Sequence, residues 1–142
     1  MERAELEDLN RLAWELFNAH DMDGMVGRVA DDFVNHNAAP GTPHGPEGQR
    51  QVNERLWSAF PDLSFETRRQ YLRDDLVIQE WTASGTHKGT MRRSGIEVEP
   101  TGREVDYRGM DVIPIEDGLV ARKDVYSDGV TLLRQLGLTD IS

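Results

Sequence analysis

The hydrophobic period of this chain changes once, at Pro61, and that change constrains the fold more than any other feature. Before it, apolar residues recur at the three-and-four spacing that lines one face of a helix: Leu6, Leu9, Ala13, Leu16 and Phe17 over residues 4–18, then Val52, Leu56, Ala59 and Phe60. Pro46 suits the first position of the latter helix, where its missing N–H would be unpaired anyway, and Pro61 ends it. Between them, Asp21 or Asp23 can cap a short helix running through Met25, Val26 and Val29, followed by a short strand over 33–37. The turn formers of 38–45 make a loop. After Pro61 the pattern alternates, with β-prone runs at 63–72, 76–87, 103–115 and 119–126. Asp74-Asp75 and Asp117-Gly118 punctuate them as tight turns, so neighbouring strands should pair antiparallel. The glycine-rich stretch 89–102 reads as a loop over the end of the sheet, and a last helix runs through Leu132, Leu133 and Leu136.

Helices first and a twisted sheet afterwards predict one α+β domain over 1–142. Its form is a cone-shaped α+β barrel in which the N-terminal helices pack on a highly curved, mostly antiparallel sheet. A curled sheet half-covered by helices leaves a pocket at its open end, suited to a small hydrophobic or aromatic ligand. Two long exposed strands predict a homodimer formed by sheet packing.

Charge and composition remove several function classes. Sixteen basic and 26 acidic residues give a formal charge of −10, which repels a phosphate backbone, so no nucleic-acid partner is expected. No apolar run reaches the length of a membrane span, and residues 1–20 lack an export signal's basic start and apolar stretch. With no cysteine in the chain, a cytoplasmic location is expected. The histidines at 20, 36, 44 and 87 lack a metal-ligand spacing, and there is neither a phosphate-binding glycine loop nor a nucleophile elbow, so no metal and no cofactor is expected.

Among the residues that remain, Asp111 interrupts the apolar alternation Val105, Tyr107, Gly109, Ile113, Ile115. A carboxylate on that buried face would be desolvated, a property that general bases share with structural ion pairs. Strand parity decides its companions. A three-residue loop Glu116-Asp117-Gly118 places Asp111, Lys123 and Val125 on one face, and is the register we favour. A two-residue Asp117-Gly118 turn instead sets Asp111 across from Asp124. A bulge near Tyr126 would bring Asp124 into the site. Lys123 reads mainly as counterion to Asp111. Trp81 and Tyr107 read as cavity wall, and His87 as a strand-end residue near the pocket mouth. His36 should point away from its neighbour Asn35.

The runs Phe17-Asn18-Ala19-His20-Asp21, Val34-Asn35-His36-Asn37, Gly45-Pro46-Glu47-Gly48, Phe60-Pro61-Asp62-Leu63, Trp81-Thr82-Ala83-Ser84-Gly85-Thr86-His87 and Leu133-Arg134-Gln135-Leu136-Gly137 resemble the SnoaL-like polyketide cyclases. These share the nuclear transport factor 2 fold. The resemblance implies a homodimer built around an internal cavity and a cofactor-free intramolecular aldol condensation driven by an acidic residue on the last strand. Asn35 falls on the family's pocket asparagine. Asp111 falls where a histidine can stand, Gly109 on a glutamine, Lys123 on a second histidine and Val125 on the catalytic aspartate. The resemblance therefore implies acid/base chemistry by Asp111 or Asp124 on an aromatic or polycyclic ketone, with ligand contacts from Asn35, His36, Trp81, His87, Tyr107, Lys123 and Val125. A non-catalytic binding protein with the same cavity is the alternative. Hydroxylation, known among relatives that work with a separate reductase, ranks last.

Overall fold

In the computed structural model, which describes residues 1–93 and 95–138, the helices are α1 (Arg3–Asn18), α2 (Met22–Val26), α3 (Pro46–Ala59) and α4 (Gly129–Gln135). The strands are β1 (Val29–Asn35), β2 (Ser64–Arg73), β3 (Leu76–Thr86), β4 (Met91–Arg93), β5 (Ile96–Val98), β6 (Glu104–Glu116) and β7 (Leu119–Ser127). Five strands form one sheet in the order β1-β7-β6-β3-β2, antiparallel except for the parallel pair β1 and β7. The sheet is open, so the fold is a cone and not a closed barrel.

Three elements depart from the sequence expectations. β1 begins at Val29, within the stretch expected to be helical, because Val29 and Phe33 bury on the face of the sheet that the helices cover. Residues 89–102 are not all loop: β4 and β5 form a small separate hairpin, whose Met91 and Val98 bury their side chains in the main core. His87, expected near the surface, is fully buried and lies 5.4 Å from the ring of Phe60.

Alternation along β3 is regular, with Val77, Gln79, Trp81 and Ala83 all buried on the helix side. β2 keeps step only through a bulge between Thr67 and Arg69. The bulge turns Gln70 toward α1, where its Oε1 accepts from Asn10 Nδ2 at 2.9 Å. Asn18 clasps the other end of β2 through both the N–H and the C=O of Phe65. α1 is thus tied across the sheet by amides as well as by the packing of Leu6 and Phe17. The opposite face of the sheet is exposed, with Tyr71 and Tyr126 more than half accessible. No helix among the described residues is long and apolar enough to cross a membrane.

His87 has a defined state in this core. Its Nδ1 accepts from the backbone N–H of Thr101 at 3.2 Å, and burial holds its pKa below the usual imidazole value, so it is folded neutral. A histidine with a depressed folded pKa contributes stability above its unfolded pKa of about 6.5, and that contribution is lost as pH falls below it. Between pH 7.5 and pH 5.5, urea denaturation should therefore show an acid-induced destabilisation that is smaller in His87→Asn.

Candidate functional site

The site is set by how β6 and β7 pair. Asp117 and Gly118 both have positive φ, 51° and 77°, and Glu116 pairs with Leu119, so the connection is the two-residue turn and not the favoured three-residue loop. Carried along the strands, that turn would set Asp111 across from Asp124. It does not, because the ladder shifts by one residue between Val112 and Ile115, leaving an extra residue in β7. Beyond the shift Asp111 pairs with Val125 and Val112 with Asp124. Asp111, Lys123 and Val125 therefore share the inner face, the combination expected from the other turn. The bulge lies nearer the turn than Tyr126, and it turns Asp124 outward.

Asp111 is 1% exposed. Its Oδ2 accepts from Gln79 Nε2 at 2.9 Å and lies 3.7 Å from Lys123 Nζ. Gln79 is oriented in turn by Trp14 Nε1, which donates to its Oε1 at 2.9 Å, and the Lys123 ammonium sits 5.4 Å from the centre of the Trp14 ring. One carboxylate oxygen is thus fixed by an amide, a cation and an indole from three different elements. The other, Oδ1, is buried without a partner among the described residues.

One register further along the same face, Trp81 pairs with Gly109. A Cβ on Gly109 would overlap the Trp81 indole, so the glycine makes the space in which the ring lies. Trp81 Nε1 is also buried and has no partner among the described residues. Trp81, expected as cavity wall, belongs to an aromatic series with Phe65 at 4.8 Å and Tyr107 at 5.9 Å, both edge-on. Trp14 and Phe65 stack at 4.6 Å, and Phe17 and Trp57 extend the series. Much of the volume expected to be an enclosed cavity is therefore packed ring against ring. Burial also raises the Tyr107 phenol's pKa, keeping it neutral.

The larger of the two clearest voids is an open groove of about 560 Å³ where β7 runs past the end of β1. Gly109, Val125, Ser127, Asn37 and Arg93 are among its lining residues. The outward side chains of Glu80, Met110 and Tyr126 line it too; Asp111 is not among the lining residues and lies two positions along β6 from Gly109, directly across from Val125. Asn37, which sequence reasoning missed, fixes this end of β7: its Oδ1 accepts from Val125 N–H at 2.7 Å. The signal was an asparagine two residues after another, a turn-forming pair. Asn35 pairs with Lys123 across the parallel ladder, and its side chain accepts from the N–H of Asn37 at 2.8 Å. Asn35 and His36 line the second void, of about 200 Å³, near α3. His36 and Asp124 meet on the outer face, with Nδ1 and Oδ1 3.1 Å apart and Arg122 3.3 Å from the other oxygen. His87 lies apart, in the core. Among the described residues, no three His, Asp or Glu side chains gather as a metal site.

With the fold and this geometry in place, comparison with known proteins is specific. The model of the SnoaL-like polyketide cyclase family matches residues 7–136. The chain belongs to that family. Among solved structures it is similar to TsrD from Streptomyces laurentii, with 27% identity over 97% of this chain and 98% of that one and a TM-score of 0.85. It is also similar to IdmH, a putative polyketide cyclase from Streptomyces antibioticus, at 29% identity over 92% and 97% of the two chains and a TM-score of 0.74. AclR, a putative hydroxylase from Streptomyces galilaeus, shares the fold at 24% identity, with 99% and 89% covered and a TM-score of 0.80. A search of curated proteins gave no match.

The Lys123–Asp111 pair is testable by a double-mutant cycle. Lys123→Met leaves the buried carboxylate with only Gln79 and should cost about 1–3 kcal/mol in urea denaturation. Adding Asp111→Asn should recover part of that loss, a positive coupling between contacting residues.

Proposed function

We propose that this SnoaL-like protein is a cofactor-independent lyase or isomerase that moves a proton on an aromatic or polycyclic ketone, in an intramolecular aldol cyclisation or an isomerisation. The observation that carries the reading is Asp111: a buried carboxylate with one oxygen fixed by Gln79 and Lys123 and the other without a partner among the described residues. In this reading a ketone enters by the groove past Gly109 and Val125. Asp111 Oδ1 takes the proton from the carbon next to the carbonyl, and the enolate oxygen that forms accepts from an inward donor, Trp81 Nε1 or the Lys123 ammonium. The enolate carbon then attacks a second carbonyl of the same molecule, and Asp111 returns the proton to the new alkoxide. The water-poor surroundings strengthen each of these interactions.

The alternative is a binding protein with the same groove. Two observations favour it: Val125 stands where the family resemblance puts the catalytic aspartate, and Lys123 already pairs with Asp111. Incubation with aromatic ketones and polyketide intermediates that raise the melting temperature, followed by mass analysis, separates the two readings. The enzyme reading expects loss of water or an isomerised product. It also expects turnover to fall about 10²–10⁴-fold in Asp111→Asn while ligand stabilisation persists and Asp124→Asn behaves as wild type. Full turnover by Asp111→Asn would remove Asp111 from the mechanism, and ligand recovered unchanged would leave the binding protein.

A further inference from the structure

In a chain with ten more negative than positive charges, the groove beside Asp111 has an unexpected balance. Four charged residues line it: Glu80, Arg93, Arg108 and Asp128. The two acids are already engaged. Glu80 pairs with Arg69 at 3.6 Å, and Asp128 turns back to cap α4, accepting from Thr131 N–H at 3.0 Å and Thr131 Oγ1 at 2.6 Å. These bonds hold its pKa below the usual carboxylate value. Neither arginine has a carboxylate within salt-bridge distance among the described residues. With Glu80 matched by Arg69, the two arginines exceed the one remaining carboxylate, Asp128, by a single positive charge.

Of the two, Arg93 is built in. It stands on β4, in the hairpin that buries Met91 and Val98 in the core, and is half-buried, whereas Arg108 is exposed on the outer face. Arg93 Nη2 donates to Ser127 Oγ at 2.8 Å, and its guanidinium lies against the bare backbone of Gly129, where a Cβ would crowd it. It is close enough to Tyr107 for its charge to oppose the rise in that phenol's pKa. The chain thus fixes the guanidinium at the mouth of the groove with one of five donors used by Ser127 and the rest uncommitted to any carboxylate among the described residues. A planar, oriented guanidinium suits bidentate binding of a carboxylate better than a flexible ammonium would.

We infer that Arg93 anchors a carboxylate on the ligand of this groove, so that the preferred substrate class is an aromatic or polycyclic carboxylic acid. This rests on the groove being the binding site of the reading above and adds to it the charge of the ligand and the residue that reads it. The anchor holds one end of the ligand while its apolar body lies along Val125 and Gly109 toward Asp111. Arg93 acts in binding and orientation and takes no part in proton transfer.

The test uses two probes of equal shape, 2-naphthoate and 2-naphthamide, with dissociation constants measured on the full chain by calorimetry or NMR titration. Wild type should bind the acid about tenfold more tightly than the amide, with the preference shrinking as salt is added. Arg93→Gln should abolish the preference, and Arg93→Lys should keep only part of it. The acid-to-amide ratio within each variant is its own control against loss of fold, since misfolding weakens both probes together. Equal binding of the two probes by wild type, or a preference that survives Arg93→Gln, overturns the role of Arg93 and leaves the groove as the site. Binding of neither probe removes the groove as a site for this class, and the inference with it.

Discussion

One extra residue in β7 decides which side chains meet inside this protein. The two-residue turn at Asp117 and Gly118 starts the β6–β7 ladder in one register, and the bulge before Asp124 shifts it to another. Because side chains alternate across a strand, that single step moves every residue beyond it from one face to the other. With the bulge, Lys123 and Val125 turn inward to Asp111, and Asp124 turns outward to His36 and Arg122. Without it Arg122 and Asp124 would turn inward in place of Lys123 and Val125, setting a second carboxylate directly across from Asp111, which like-charge repulsion disfavours.

Much of the architecture was legible in the sequence because it rests on periodicity. The change at Pro61 separates helices from sheet, and the four long strands lie within about a residue of the runs that alternation marked. What escaped reading depends on pairing. The β4–β5 hairpin is two three-residue strands amid glycines, too short for a period to register, and it forms because Met91 and Val98 find the core. The β7 bulge leaves no local mark, since the residues around it, Ala121 and Arg122, are compatible with a regular strand. The inward face of β7 was anticipated, but through a three-residue loop that the positive φ values of Asp117 and Gly118 exclude.

The candidate site was legible residue by residue and not as an assembly. Asp111 stood out as a charge in an apolar alternation, and Lys123 as its counterion. Gln79 and Trp14, which orient the carboxylate, lie on elements remote in sequence and carry no motif. Gly109 shows why a substitution within a family pattern can be structural: at the position matched to a polar side chain, its missing Cβ makes room for the Trp81 indole. The aromatic series that follows fills much of the interior, and the open groove lies at the edge of β7.

The most direct test of this account is the pattern of interstrand backbone NOEs between β6 and β7 in the isotopically labelled protein. The account predicts contacts of Glu116 with Leu119, then a one-residue shift, then contacts of Asp111 with Val125 and Gly109 with Ser127. Contacts of Asp111 with Asp124, continuing the register of the turn without a shift, would place Lys123 and Val125 on the outer face and contradict the site described here.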